Sequence, residues 1–243
     1  RRVGASAESV LSDAALESLI RDFAGAARLA QAEGFDFVDV KHCHGYLLHE
    51  LLAARTRPGA FGGESLDART RFLRAVLEAV RAAAPGLAIG VRLSAFDVLP
   101  FAPGPDGVGA PELPPAPGPY AYGFGVDTAD PTRPDLAEAE ALVRLLSSLG
   151  VTMLNVTAGS PYTVPHLQRP AAFPPSDGYL PPEDPLVGVA RLLAAARALK
   201  RAAPEMAVVS SGWTYLQEFV PQVAQACVRE GWFDAIGLGR MAL

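Results

Sequence analysis

With 243 residues, half of them hydrophobic, the chain has enough apolar material for one large α/β domain, which excludes a disordered or linker protein. Its net charge of −5, spread without blocks of like sign, excludes an electrostatic footprint for nucleic acid or anionic lipid and points to small-molecule partners. Two cysteines cannot build a disulfide framework, and no apolar run reaches the roughly 18 residues of a membrane span, so the expectation is a cytoplasmic protein without a membrane partner.

In chain order, Ser12 reads as the N-cap of an amphipathic helix that runs to about Glu33, with Leu16, Leu19, Ile20, Phe23, Ala27 and Ala30 on one stripe and Gly34 as its stop. A strand is expected near 35–41, a short helix over about 45–54, and a second amphipathic helix over about 65–84. Further strands are expected near 88–94, 153–157, 207–211 and 235–239, separated by helices around 135–149, 185–203 and 215–230. Two long irregular stretches, about 95–134 and about 158–184, each follow a strand.

Strands alternating with helices imply right-handed crossovers and a parallel sheet. Along these strands Val38, Val40, Ile89, Val91, Leu93, Leu154 and Val156 form one set, and Asp39, Lys41, Gly90, Arg92, Ser94, Asn155 and Thr157 the other. One apolar face and one polar face favour a (β/α)8 TIM barrel over a doubly wound sheet, which buries both faces under helices. Only five strands can be counted, so the expected architecture is an incomplete barrel, a single partial domain over 1–243, with both long loops on its active face.

Three of the four histidines lie in "KHCHGYLLH", Lys41 to His49. A zinc site would need His42, His44 and His49 to converge, but neighbours on a strand point to opposite faces, and a separation of five is not the i, i+4 spacing of a helical pair. His42 and Cys43 read better as core or loop residues. Lys41, His44 and Tyr46 can instead all point over the barrel mouth, offering two donors to a carbonyl oxygen that gains charge and a phenol that protonates carbon. A packed tyrosine with its hydroxyl capped by a backbone group remains the alternative for Tyr46. At the other end, "SSGWT" and "GLGR" place glycines after strands, where backbone N–H groups can approach a phosphate and Arg240 can clamp it.

The ordered segments "GFDFVDVKHCHGYLLHELL", "GVRLS", "LNVTAG", "VVSSGW" and "DAIGLGRMAL" resemble the old yellow enzyme family of FMN-dependent oxidoreductases. The resemblance implies that Tyr46 is the proton donor of the "GYL" motif and that His44 and Lys41 bind the substrate's carbonyl oxygen. It further implies that Arg92 meets the flavin's pyrimidine edge, that Gly212, Trp213, Gly239 and Arg240 hold the FMN phosphate, and that NADH or NADPH is the reductant. The chain departs from the pattern at Lys41, where the family usually has His, and at Ala68, where it usually has Asn, with Glu64 inserted nearby.

The strands present resemble the fourth to eighth of the family's barrel. With the chain opening at Arg1, the expectation is a missing N-terminal barrel segment of the same protein, required for function, with a homo-oligomer as an open outcome. The function expected is hydride transfer from NAD(P)H through flavin to an activated, enone-like alkene. Its rivals are a metal-dependent barrel hydrolase or lyase using His42, His44 and His49, and a non-catalytic partial barrel.

Overall fold

The structure, a computed structural model, describes residues 9–114, 118–173 and 178–239. Its first helix, α1 (Asp13–Ala32), starts where the Ser12 hydroxyl accepts the Ala15 N–H at 3.2 Å, and it ends before Gly34, whose φ of +84° suits glycine. Strand β1 (Phe37–His42) leads into the short α2 (Leu47–Leu52). The helix expected over about 65–84 is two pieces, α3 (Leu66–Arg69) and α4 (Arg71–Ala83). They part at Thr70, whose hydroxyl donates back to the Leu66 carbonyl at 2.9 Å. The Phe72 ring of α4 meets Phe23 of α1 edge-on, with centroids 6.4 Å apart.

After β2 (Ala88–Ser94) comes a two-stranded hairpin inside the first long loop, β3 (Phe101–Pro103) paired antiparallel with β4 (Gly109–Pro111). The chain continues through α5 (Ala137–Ser148), β5 (Met153–Thr157), the one-turn α6 (Pro165–Gln168) and α7 (Pro185–Ala202). It then passes through β6 (Ala207–Ser210), a 3₁₀ segment (Thr214–Phe219), α8 (Val220–Arg229) and a last strand, β7 (Ala235–Ile236). That last strand is two residues long rather than the five expected, because pairing with β6 stops at Ile236 and glycines follow at 237 and 239.

The main sheet is parallel throughout, in the order β1-β2-β5-β6-β7. Its apolar face carries Val40, Val91, Leu154 and Val208, all buried in one core with Leu77, Val80, Leu142, Leu146, Leu192 and Leu199 of the helices. The opposite face is polar, and the parallel register sets Lys41, Arg92 and Asn155 side by side on neighbouring strands. A sheet with one face under helices and one polar face is a partial (β/α)8 barrel, and both long loops leave the C-terminal ends of strands. Among the described residues no helix is long and apolar enough to cross a membrane.

The two long loops are joined. His166 of α6 hydrogen-bonds the Tyr179 hydroxyl at 2.7 Å, the Phe101 ring packs 4.8 Å from that imidazole, and the Gly109 N–H donates to the Leu180 carbonyl at 2.9 Å. Gly109 must lack a side chain here, because a Cβ would lie 2.4 Å from the Tyr179 ring.

Candidate functional site

At the end of β1 the chain turns through two residues in the left-handed region, His44 with φ 63° and Gly45 with φ 70°. The His44 conformation costs about 1–3 kcal/mol and is held by its surroundings. Its N–H donates to the Ser94 hydroxyl at 3.2 Å, its carbonyl accepts the Ser160 hydroxyl at 3.1 Å, and its Nε2 lies 3.2 Å from the Thr157 hydroxyl. The ends of β1, β2 and β5 are thus tied to this residue. Burial, with Arg92 and Lys41 adding like charge, pulls its imidazole down to about 4, so it is neutral at pH 7 and can donate one hydrogen bond without being charged.

Tyr46 stands beside this turn with its ring about half exposed. The Lys41 Nζ sits 3.1 Å from the ring centroid, and the Tyr46 hydroxyl is 3.1 Å from the hydroxyl of Tyr162, from the loop after β5. The hydroxyl therefore meets another phenol, not a backbone cap. Lys41 is not paired with Asp39, the partner that a shared strand face suggests. Its ammonium lies over the Tyr46 ring, whereas Asp39 lies one pleat repeat back with Arg92 as its charged neighbour, and among the described residues the two make no ion pair.

The histidines of the metal reading are not brought together, and among the described residues no group of three metal-ligating side chains forms. His42 is buried on the helix side of β1, its pKa brought down to about 3 by burial. His49, also buried, accepts the Gly45 N–H on Nδ1 at 2.9 Å and so braces the turn. Cys43 is buried and its thiol is pushed up to about 11, an inert core residue.

Beside His44 opens a cleft of about 460 Å³ lined by His44, Arg92, Asn155, Arg169, Gly212 and Gly239, among others. On its floor the Arg92 Nε and the Asn155 Oδ1 are buried without a hydrogen-bond partner. A donor and an acceptor left bare on adjacent strands each cost about 1–3 kcal/mol until something satisfies them. They suit a planar polar ligand whose edge alternates acceptor and donor.

The far wall is built from main chain. Gly212 has φ +92°, and a Cβ there would come within 2.4 Å of Leu192 Cδ1, so only glycine fits. Trp213 lines this wall with its backbone alone. Its indole is 1 % exposed, donates to the Ser210 carbonyl at 3.1 Å and meets Phe233 edge-on, so the side chain belongs to the core and not to the ligand. Gly239 has open space around it, and Arg240 lies outside the described residues. Arg169 and Asn155 join the candidate residues at this cleft. Asn155 was visible in the polar strand set, but Arg169 lies in an irregular loop whose course only the fold reveals.

Residues 3–106 match the NADH:flavin oxidoreductase / NADH oxidase family. The NADH-dependent flavin oxidoreductase iliE of Hypocrea jecorina is 39 % identical over 90 residues, 36 % of this chain and 22 % of the relative. The 12-oxophytodienoate reductase 1 of Oryza sativa subsp. japonica is 41 % identical over 83 residues, 33 % of this chain and again 22 % of the relative. The matched stretch thus spans about a fifth of each relative's length. Among solved structures, morphinone reductase in complex with tetrahydroNAD superposes with a TM-score of 0.57 at 21 % identity, covering 95 % of this chain and 47 % of that one. The complex of 2-naphthoyl-CoA reductase with 2-naphthoyl-CoA gives 0.62 at 18 % identity, covering 93 % and 27 %. Over residues 3–106 the chain is thus similar to the NADH:flavin oxidoreductase / NADH oxidase family, and its five parallel strands share the fold of part of these larger barrel enzymes.

Proposed function

We propose that the protein carrying this chain is an FMN-dependent NAD(P)H oxidoreductase that reduces an activated, enone-like alkene. The observation that carries this reading is the cleft floor, where Arg92 Nε and Asn155 Oδ1 offer an unmatched donor and acceptor to the pyrimidine edge of a flavin. FMN, when bound, supplies the hydride chemistry, with NADH or NADPH as the source of electrons.

The chain's own residues do the rest. The neutral His44 and the Lys41 ammonium donate to the substrate's carbonyl oxygen and stabilise the negative charge that gathers there as the alkene is reduced. Tyr46, half exposed beside them, gives its proton to the α-carbon. The wall at Gly212, Trp213 and Gly239 takes the phosphate end of the cofactor, Trp213 through its backbone, with Arg240 as a further clamp in this reading.

The same reading treats 1–243 as one partial domain of a cytoplasmic enzyme, completed by barrel strands of the same protein and free to form a homo-oligomer. Its support is the open sheet, in which β1 and β7 each pair on one side only among the described residues. The test is spectroscopic. The full-length protein, purified, is expected to show a flavin absorption spectrum that bleaches with NADH or NADPH and returns on adding 2-cyclohexenone. A colourless protein that takes up no FMN refutes the reading.

A further inference from the structure

We propose that Arg169 is a phosphate-binding residue, an anion clamp reaching the cleft from the loop after β5 and taking a phosphomonoester together with the main-chain wall at Gly212 and Gly239. The inference rests on the flavin reading above and adds a residue that neither the motifs nor the family match singles out.

Three observations carry it. The first is charge. In a chain of net −5, the cleft's lining includes the cations Arg92 and Arg169, with a neutral His44, but no Asp or Glu among the described residues. An anion entering here meets two guanidinium groups and no carboxylate in the lining, with Asp39 behind Arg92 on the sheet.

The second is availability. Arg55 and Arg69 share Glu138, Arg57 is held by Asp13, Arg74 by Asp67, and Arg191, the next arginine along the chain, by Glu183. Arg169 has no such partner among the described residues, and its side chain is exposed at the cleft. An arginine is always protonated and carries five donors, so this one is a standing cation waiting for an acceptor.

The third is placement. Arg169 is exposed, yet its backbone is fixed: its N–H donates to the Pro165 carbonyl at 2.9 Å, Leu167 before it and Pro170 after it are buried, and the His166–Tyr179 bond pins the same turn. A fixed base with a free guanidinium suits a clamp better than a solvated surface arginine would. Across the cleft, Gly212, Trp213, Leu238 and Gly239 present N–H groups that find no acceptor among the described residues. Several donors from two loops facing one planar fork match the several oxygens of a phosphate, whereas a carboxylate has only two. Arg92 and Asn155 sit on strands at the floor and Arg169 on a loop at the rim, so ring and phosphate have separate partners, and the phosphate source that fits is FMN itself.

The experiment is fluorescence titration of the full-length apoprotein and its Arg169→Ala variant with FMN and with riboflavin, which has the same ring system but no phosphate. Arg169→Ala is expected to weaken FMN binding about 10- to 100-fold, the range for a charged hydrogen-bonding partner, and to leave riboflavin binding unchanged. Arg169→Lys should fall between the two, retaining the charge and losing the fork. Equal loss for both ligands, or no loss for FMN, overturns the proposal while leaving the flavin reading intact. A free phosphate as the true occupant would show as riboflavin binding more tightly when inorganic phosphate is added, with FMN no better than riboflavin, and that also overturns it. Wild-type protein that binds neither flavin sinks both readings together.

Discussion

The ammonium of Lys41 rests 3.1 Å from the centre of the Tyr46 ring, and the hydroxyl of that ring meets Tyr162 at 3.1 Å. One phenol thus has a cation on its face and a second phenol at its tip. The cation–π contact is worth about 0.5–2 kcal/mol and fixes where the ring stands, which leaves the hydroxyl as the group with a chemical role to test.

Tyr46→Phe keeps the ring under Lys41 and removes the hydroxyl, and with it the transferable proton. In the full-length enzyme it should slow alkene reduction about 100-fold or more while reduction by NADH or NADPH changes little, since only alkene reduction puts a proton on carbon. Stopped-flow measurement of the two half-reactions separates them, and equal losses in both would mark Tyr46 as structural.

Lys41→His exchanges a point charge for an imidazole at the position beside His44. We expect kcat/KM to shift toward simple cyclic enones and away from enones bearing a carboxylate, which the ammonium favours. Competition between 2-cyclohexenone and its carboxylated analogue reads the ratio directly. An unchanged ratio would show Lys41 to be passive in selection.

All four histidines are held below their ordinary pKa by burial, His42 at about 3 and His44, His49 and His166 at about 4. Between pH 4 and 6.5 the unfolded chain therefore binds protons at these sites that the folded chain does not, and stability falls as pH drops through this window. Asp97, pushed up to about 7 by burial, acts in the opposite sense, as do the raised Asp39 and Glu50, but four imidazoles outweigh them near pH 6. Urea unfolding at pH 7, 6 and 5 should show declining midpoints. His42→Leu should flatten that slope by about one proton, and an unaltered slope would mean that His42 is not held neutral.

The two wall glycines should differ under the same substitution. Gly212→Ala puts a Cβ against Leu192 at a left-handed φ and should cost about 1–3 kcal/mol of stability. Gly239→Ala meets open space and should cost almost nothing. Thermal denaturation of the pair decides it, and similar melting temperatures would refute the steric account of Gly212.

Legibility in the sequence followed side-chain pattern. Ala88–Ser94 and Met153–Thr157 alternate cleanly, and strands form over those spans; Ser12 was readable as a cap because its hydroxyl has a local task. The β3–β4 hairpin was invisible, since "FAP" and "GAP" carry prolines and no alternation. At the site, Lys41, His44 and Tyr46 could be grouped because a strand end and a turn keep them together along the chain. The direction of the Trp213 indole, the swing of Lys41 from Asp39 to Tyr46 and the arrival of Arg169 at the cleft all depend on packing between distant segments, which local pattern does not encode.

The contacts of Phe101 with His166 and of Gly109 with Leu180 make the loop after β2 and the loop after β5 a single mechanical part, although Phe101 and Leu180 lie far apart along the chain. A ligand that pulls on Arg169 tugs the same turn that holds His166, and through Tyr179 and Gly109 it tugs the hairpin. Amide hydrogen exchange should therefore slow over residues 101–111 and 165–170 in step when the cleft fills, even though the hairpin itself does not line the cleft.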